Sequence, residues 1–215
     1  MTETPPVFDA HFREELDSLL AWRRDVRHFR PDPLPDGLLD DLLATAQRAP
    51  SVGNSQPWRF VRLVSAEIRA TLADQVDHAA ARAGERYGDT DRGALYRRLR
   101  LHGLREAPEI MAVFCDDAPE AGFGLGAATM PETLAYSVVM AIHTLWLAAR
   151  ARGVALGWVS ILDPDRVTAL LDVPPSWRLI AVLCLGYPTE EQAVAELERR
   201  GWQARRDWRD AVTER

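Results

Sequence analysis

The chain contains no lysine, so every basic side chain among its 215 residues is an arginine. The choice of arginine over lysine at one position therefore carries no information, and only the placement of the arginines can be interpreted. Acidic residues outnumber basic ones by 32 to 26, which leaves a formal net charge of -6. A general binder of nucleic acids or anionic membranes needs a basic surface, so both classes are excluded and any anion site must be local.

Cysteine is scarce as well, and Cys115 and Cys184 each lie inside an apolar run. This usage predicts two buried core thiols and argues against a disulfide framework. The five histidines lack both the i, i+4 spacing and the companion cysteines of a zinc site, so we expect no metal. No apolar run approaches membrane-spanning length, and Met1 to Pro6 do not resemble a signal peptide, so we expect a cytoplasmic protein.

Glycine-rich nucleotide motifs are also missing. Neither a Gly-x-Gly-x-x-Gly fingerprint nor a Walker sequence is present, which removes the common dinucleotide and nucleoside-triphosphate folds. The alternating glycines of Gly122 to Gly126 lack the strand-then-helix context that such a loop needs. The length and the 47% hydrophobic content suit one substantial core, so we expect a single domain over residues 1–215.

The spacing of apolar residues predicts the elements of the fold. Helices are predicted over residues 12–20, 38–46, 66–83, 94–106, 131–152 and 164–171, and strands over 60–64, 110–115, 154–162 and 178–186. The helix over 131–152 is expected to be the longest and to form the structural spine. Because strands and helices do not alternate strictly, the pattern indicates an α+β fold. The charged chain beyond Tyr187 is expected to be an extended arm.

An arginine-rich segment, Arg23 to Arg27, follows the first predicted helix and reads Arg-Arg-Asp-Val-Arg. Alternate residues of an extended backbone point the same way, so Arg23, Asp25 and Arg27 are predicted to face one pocket and Arg24 another. The planar guanidinium donates paired hydrogen bonds to two phosphate oxygens, which makes these arginines candidate phosphate ligands. A solvated helix end that binds nothing is the alternative.

Three further segments carry candidate ligand-binding groups. Ala49 to Trp58 reads Ala-Pro-Ser-Val-Gly-Asn-Ser-Gln-Pro-Trp and can offer hydroxyls and amides to a heteroaromatic ring, although an ordinary capped turn has the same composition. Gly157-Trp158-Val159-Ser160 can admit a flat ligand beside glycine and offers one hydroxyl, or it is simply a core strand. Arg205-Arg206 can close over a phosphate, or it is a charged tail.

In this order, the four segments resemble the flavin-binding elements of the nitroreductase superfamily across nearly the entire chain. That family opens with Arg-x-Ser-x-Arg/Lys, continues with Ala-Pro-Ser-x-x-Asn-x-Gln-Pro-Trp, places a glycine-containing strand at the flavin edge, and ends in a basic arm. The resemblance implies a homodimer with FMN at the interface, and a nitroreductase-like α+β fold with a central mixed sheet flanked by helices. The implied FMN contacts are Arg23, Arg24, Arg27, Ser51, Asn54, Gln56, Trp158, Ser160 and Arg205.

Asp25 stands where the general pattern has serine, and Arg-Arg-Asp-Val-Arg is similar to the flavin destructase branch of the superfamily. Met130-Pro131-Glu132 and Leu183 to Tyr187 also resemble that branch. Its members combine reduced FMN with O2 and fragment the flavin. By this resemblance Asp25 would shuttle protons near the ribityl chain, and Ser160 would orient an intermediate by hydrogen bonding.

Two other functions stay open at this point. A conventional NAD(P)H-dependent nitroreductase or quinone reductase would keep its flavin intact, and a non-catalytic flavin-binding protein would show no turnover. Because no nicotinamide-binding fingerprint is present, we expect a separate flavin reductase to supply the reduced FMN.

Overall fold

The computed structural model describes residues 4–215. Within them the chain forms the helices α1 (Ala10–Trp22), α2 (Leu38–Ala46), α3 (Ala66–Glu85), α4 (Asp91–Tyr96), α5 (Thr133–Arg150), α6 (Pro164–Leu171) and α7 (Glu196–Arg199). The strands are β1 (Trp58–Arg62), β2 (Glu109–Asp116), β3 (Ala155–Val159) and β4 (Trp177–Gly186). The predicted α+β class is confirmed.

The four strands form one sheet in the order β1-β2-β4-β3, and every neighbouring pair is antiparallel. The expectation of a mixed sheet is therefore wrong for these strands. Parallel pairing within residues 4–215 is confined to an isolated bridge between Asp25 and Leu156. The chain leaving α1 thus runs parallel to the edge strand β3 but is too short there to count as a strand.

Alternation along the strands creates two cores, one on each face of the sheet. Met111, Val113 and Cys115 of β2 pack with α2 and α5, whereas Ile110, Ala112 and Phe114 pack with α3 and α6. Cys115 and Cys184 lie in opposite cores, both buried and unpaired, which confirms the predicted core thiols. Burial raises the pKa of each thiol to about 12, so neither is a thiolate at neutral pH.

Helix α5 is the structural spine, as predicted. It buries one face between α2 and the sheet, through residues that include Leu134, Val138, Ala141, Ile142, Leu145 and Ala149. It is not the longest helix, because α3 has 20 residues and α5 has 18. The ends of the predicted span fold into turns instead, and Gly153 takes the left-handed conformation (φ 71°) that follows many helix ends.

Two segments differ from the predictions. The helix predicted over 94–106 is the six-residue α4, which starts early because the Thr90 hydroxyl accepts the Gly93 N–H (3.1 Å) and stops where Tyr96 is buried. The C-terminal arm (residues 187–215) is not fully extended. Trp202 packs edge-on against Tyr87 (ring centroids 5.5 Å apart), and only residues 203–215 are uniformly exposed.

Candidate functional site

The arginine segment (residues 23–27) lies directly on strand β3. The Val26 N–H donates to the Leu156 carbonyl (3.1 Å), and Asp25 bridges Leu156. A Cβ atom added to Gly157 would stand 2.0 Å from the Val26 carbonyl oxygen. Gly157 was expected to admit a flat ligand, but it admits the protein's own backbone at this point. The absence of a side chain at Gly157 therefore lets the backbone at Val26 pack directly against β3.

Asp25 has both carboxylate oxygens engaged. One oxygen accepts the Trp158 backbone N–H at 2.8 Å, and the other accepts from the Arg27 guanidinium at 2.6 Å. The side chain keeps 30% of its surface exposed, so a ligand can reach it. Burial raises the pKa of Asp25, and the nearby Arg27 charge and the Trp158 hydrogen bond act in the opposite direction. Asp25 is therefore an oriented carboxylate that takes up a proton more readily than an exposed aspartate.

Arg27 lies between two carboxylates, since it also approaches Glu196 of α7 at 3.6 Å. Its side chain is only 14% exposed, and that of Glu196 is 10% exposed. The sequence interpretation expected Arg23, Asp25 and Arg27 to face one pocket. Asp25 and Arg27 do line one cavity and their side chains meet, whereas Arg23 is not among its lining residues. That interpretation did not include Glu196, because a single glutamate in a charged tail gives no pattern that would single it out.

The other arginines form a cationic group next to this pair. Arg23 stacks over the Trp146 ring, 4.8 Å from its centroid. Arg24 donates to the Ala193 carbonyl of the arm at 2.6 and 2.9 Å. It lines the same cavity as Asp25 and Arg27, so the prediction that Arg24 faces another pocket is wrong. Burial, followed by the charges of Arg23 and Arg205, lowers the pKa of Arg24. The guanidinium groups of Arg23 and Arg205 thus both lie within electrostatic range of Arg24, which is an arrangement that attracts an anion.

The turn over residues 51–58 is held by its own side chains. The Ser51 hydroxyl accepts the Gln56 N–H (3.0 Å), and the Gln56 amide donates to the Asn54 carbonyl (2.9 Å). Gln47 of the preceding helix end donates to the Gln56 side-chain oxygen (2.7 Å) and accepts from the Trp58 indole (2.7 Å). Asn54 and Gln56 have positive φ values of 54° and 46°. Two such residues, separated only by Ser55, are strained, and they persist here because these hydrogen bonds hold them.

The 51–58 turn interlocks with the loop over residues 117–130. A Cβ atom on Gly53 would be 2.9 Å from the Leu125 carbonyl oxygen, and one on Gly122 would be 2.8 Å from the Ser55 Cβ. Ser55 is only 6% exposed, and its hydroxyl has no hydrogen-bond partner among the described residues. A buried hydroxyl without a partner is costly, which makes Ser55 a polar group available to a ligand or a water molecule. Ser55 belongs to the motif Ala49 to Trp58 but was not among the predicted contacts.

The structure brings some predicted residues together and separates others. The Trp158 backbone N–H donates a hydrogen bond to Asp25, and Ser160 lies exposed just beyond the end of β3. The 51–58 turn contacts α5 near its start, where the Val52 N–H donates to Ser137, whereas the arginine segment contacts Trp146. Nine residues of helix separate these two contacts on α5, a rise of about 13 Å. The predicted contacts therefore form two groups along one helix.

Two classes of feature are absent from residues 4–215. No group of three or more histidine, cysteine, aspartate or glutamate side chains is arranged to hold a metal ion there. No helix in that part of the chain combines the length and apolar character needed to cross a membrane.

Comparison with known proteins agrees with this geometry. Residues 20–187 match the nitroreductase family. The 5,6-dimethylbenzimidazole synthase of Rhodospirillum rubrum is 59% identical over 205 residues, which cover 94% of this chain and 96% of that protein. A protein of the same name from Rhodobacter capsulatus is 47% identical over 196 residues, covering 91% of this chain and 94% of that one.

Solved structures share the fold. Iodotyrosine deiodinase bound to FMN and 3-iodo-L-tyrosine superposes with a TM-score of 0.69 at 25% identity, covering 82% of this chain and 91% of that one. The NADPH:FMN oxidoreductase of Vibrio harveyi, complexed with NAD+, gives a TM-score of 0.65 at 18% identity, covering 92% and 76% of the two chains. This chain belongs to the nitroreductase family and, within it, to the group of the 5,6-dimethylbenzimidazole synthases.

Proposed function

We propose that this chain makes 5,6-dimethylbenzimidazole, the lower ligand of cobalamin, from reduced FMN and O2, and releases erythrose 4-phosphate. The near full-length identity of 59% to a synthase supports the reaction. Within the structure, the observation that carries the proposal is Asp25, an ionisable group held at 2.8 Å by the Trp158 N–H where the general family pattern has serine. The test is whether reduced FMN supplied in air is converted to the benzimidazole.

The residues present fit an FMN molecule. Arg23 and Arg205 both lie close enough to Arg24 for their charges to act on it, which suits a phosphate. The unpartnered Ser55 hydroxyl offers a hydrogen bond in the interlocked turn. We assign the phosphate to Arg23 and Arg205, because Arg24 is engaged with the Ala193 carbonyl and Arg27 with two carboxylates. Ser51, Asn54 and Gln56 remain the proposed contacts to the ring or the ribityl chain.

When bound, the reduced flavin supplies the chemistry with O2, and the protein positions groups around it. Asp25 accepts and returns the proton that a carbon–carbon cleavage of the retro-aldol kind requires. Arg27 and the Trp158 N–H hold the two oxygens of that carboxylate in place. Ser160, exposed at the end of β3, donates or accepts a hydrogen bond that orients the reacting fragment.

The phosphate assignment makes a binding prediction. Arg23→Ala and Arg205→Ala are each expected to weaken FMN binding by about 1.5–3 kcal/mol, the range for a hydrogen bond to a charged group. Fluorescence titration of FMN measures this directly. Arg166→Ala is the matched control, because that arginine of α6 is 60% exposed and pairs at 3.5 Å with Asp163, the residue before the helix. Unchanged affinity in both site variants would return the cluster to the solvated-surface interpretation.

We further propose that the chain works as a homodimer. Tyr136, Val139 and Met140 lie on the outward side of α5 and are 53%, 42% and 46% exposed. Helix α1 has no buried residue, although Phe12 and Leu16 lie on it. Apolar helix faces of this kind fit a self-complementary interface between two copies.

The dimer proposal predicts a sharp effect of charge on α5. Val139→Asp would place an unpaired carboxylate in the proposed interface and is expected to raise the dimer dissociation constant at least about 10-fold. Sedimentation velocity at micromolar concentration measures the change. Val64→Asp, at a position that is 77% exposed after β1, is the control and should leave the dimer intact. A wild-type chain that sediments as a stable monomer would contradict the proposal.

We propose that a separate flavin reductase supplies the reduced flavin and that NAD(P)H alone is a poor reductant of the bound flavin. Rapid stoichiometric bleaching of bound FMN by NADPH without oxygen would overturn this and favour a conventional nitroreductase. A single domain over residues 1–215 and a cytoplasmic location stay predictions.

A further inference from the structure

We propose that Glu196, on α7 of the C-terminal arm, is a positioning residue for Asp25, because the two carboxylates share the guanidinium of Arg27. The inference rests on the proposed function, in which Asp25 takes up and returns a proton. Glu196 touches neither Asp25 nor the proposed flavin contacts. It acts through Arg27, because the charge of that guanidinium interacts with Glu196 at 3.6 Å as well as with Asp25 at 2.6 Å.

The side chain of Glu196 is largely buried, although the residue lies in a charged arm. Its side chain is 10% exposed and approaches Arg27 at 3.6 Å, His28 at 3.5 Å and Arg200 at 3.8 Å. The neighbouring Glu191 differs in this respect, because it pairs with Arg150 at 2.6 Å and remains 49% exposed. Burial of a carboxylate is unfavourable unless cations compensate it, so the surroundings of Glu196 are built around its charge.

Contacts on both sides of α7 fix the position of Glu196. Before the helix, Arg24 holds the Ala193 carbonyl at 2.6 Å. After the helix, Trp202 packs against Tyr87 and lies under Arg92, whose guanidinium carbon is 4.7 Å from the ring centroid. The backbone that carries the Glu196 carboxylate is therefore fixed on both sides of α7, and this holds the carboxylate near Arg27.

Asp25 faces charges from every element packed against it. Arg27 and Arg23 of its own segment favour the carboxylate, as does the Trp158 N–H of β3. Glu196 of the arm opposes it, and burial opposes it most strongly, so that the pKa of Asp25 is raised. The Cys184 thiol of β4 is also in range, but its own pKa of about 12 leaves it neutral.

The pairing of the Arg27 guanidinium with two carboxylates affects the basicity of Asp25. When a guanidinium pairs with one carboxylate alone, the charge-assisted pair stabilises the ionised form of that carboxylate. The carboxylate is then a weaker base. With Glu196 drawing on the same guanidinium, Asp25 stays oriented by Arg27 but keeps more of its tendency to accept a proton. General-base efficiency rises as the pKa approaches the working pH, so this arrangement favours proton transfer.

The direct test is a carbon-13 NMR titration of the Asp25 carboxyl in the flavin-free protein, with the signal assigned by its loss in Asp25→Asn. Glu196→Gln is expected to move the titration midpoint of Asp25 to lower pH, because a negative neighbour is removed and Arg27 pairs with Asp25 alone. Glu196→Asp keeps the charge and should restore a midpoint near the wild-type value. Glu191→Gln, the matched control, should leave it unchanged. An unmoved or raised midpoint in Glu196→Gln overturns the proposal.

A kinetic test separates positioning from simple anchoring of the arm. In Glu196→Gln the acidic limb of the pH–rate profile should move to lower pH, with a plateau reduced by about 3- to 10-fold. The same change made in an Asp25→Asn background should cost little more, because both residues act on one step. A loss that is equal at every pH and fully additive with Asp25→Asn would identify Glu196 as an anchor only.

Failure of the proposed function is distinguishable from failure of this inference. If the wild-type protein forms no 5,6-dimethylbenzimidazole, the function is wrong, yet the carboxyl titration still reports whether Glu196 and Asp25 are coupled through Arg27. If the product forms and the midpoint does not move, the function stands and the role of Glu196 is wrong.

Discussion

Asp25→Asn is expected to lower the rate of 5,6-dimethylbenzimidazole formation by about 100-fold or more, the lower end of what a positioned acid–base group contributes. The asparagine oxygen can still accept the Trp158 N–H, which lies 2.8 Å from the Asp25 carboxylate in the wild type. Arg27 still pairs with Glu196. Shape and most contacts are thus retained, and what is lost is the ability to take up a proton. FMN affinity should stay close to that of the wild type, because a carboxylate does not favour a phosphate.

Single-turnover measurements with reduced FMN in air give the rate, and an FMN titration gives the affinity. Asp32→Asn is the matched control, since Asp32 pairs with Arg30 at 3.4 Å and is 56% exposed. It should leave both quantities unchanged. If Asp25→Asn binds flavin and forms product at close to the wild-type rate, Asp25 merely orders Arg27 through the ion pair and is not the proton shuttle.

Gly157→Ala is expected to have the second large effect. The added Cβ would meet the Val26 carbonyl oxygen at 2.0 Å, so the arginine segment has to move away from β3. Two hydrogen bonds are then lost, from the Val26 N–H to Leu156 and from the Trp158 N–H to Asp25. We expect the free energy of unfolding to fall by about 2–4 kcal/mol and FMN to bind at least about 10-fold more weakly.

Leu72→Ala provides a matched destabilisation elsewhere in the molecule. Leu72 of α3 is completely buried in the core, so its truncation should cost about 2–5 kcal/mol. This variant should lose comparable stability in a urea denaturation experiment and keep its FMN affinity. Equal loss of affinity in both variants would indicate that general destabilisation, and not displacement of the arginine segment, weakens binding.

Local pattern predicted much of this fold. Helix α2 and helix α6 have the predicted bounds, and the apolar face of α5 is buried as its spacing indicated. The 51–58 turn is also explained locally, since hydroxyl and amide side chains satisfy the backbone that they belong to. These features depend on residues close to one another in the chain, which is why the sequence reveals them.

Features that depend on distant residues were predicted less well. The segment after Tyr96 is not helical because Tyr96 packs beside Gly84 and Tyr87, which overrides its local helix propensity. Whether the sheet is mixed or entirely antiparallel depends on how strands such as β3 and β4 pair, and no local sequence pattern specifies that pairing. Gly157 was singled out for the close approach of a flat ligand, but the group that approaches it is Val26, 131 positions earlier in the chain.

The candidate site shows the same division. The motifs named Asp25, Arg27 and Trp158, and the structure joins them through hydrogen bonds of 2.6 and 2.8 Å. Glu196 could not be found in this way, because its significance lies in burial against Arg27, and only the folded arm supplies that. The unpartnered hydroxyl of Ser55 is likewise a property of packing.

Product analysis tests the central claim most directly. The protein is supplied with chemically reduced FMN in air, and the mixture is separated by chromatography with flavin and benzimidazole standards. We predict that FMN disappears and that 5,6-dimethylbenzimidazole accumulates in equal molar amount, with Asp25→Asn as the slow control. Full recovery of FMN as the intact oxidised flavin, with no benzimidazole, would contradict the account.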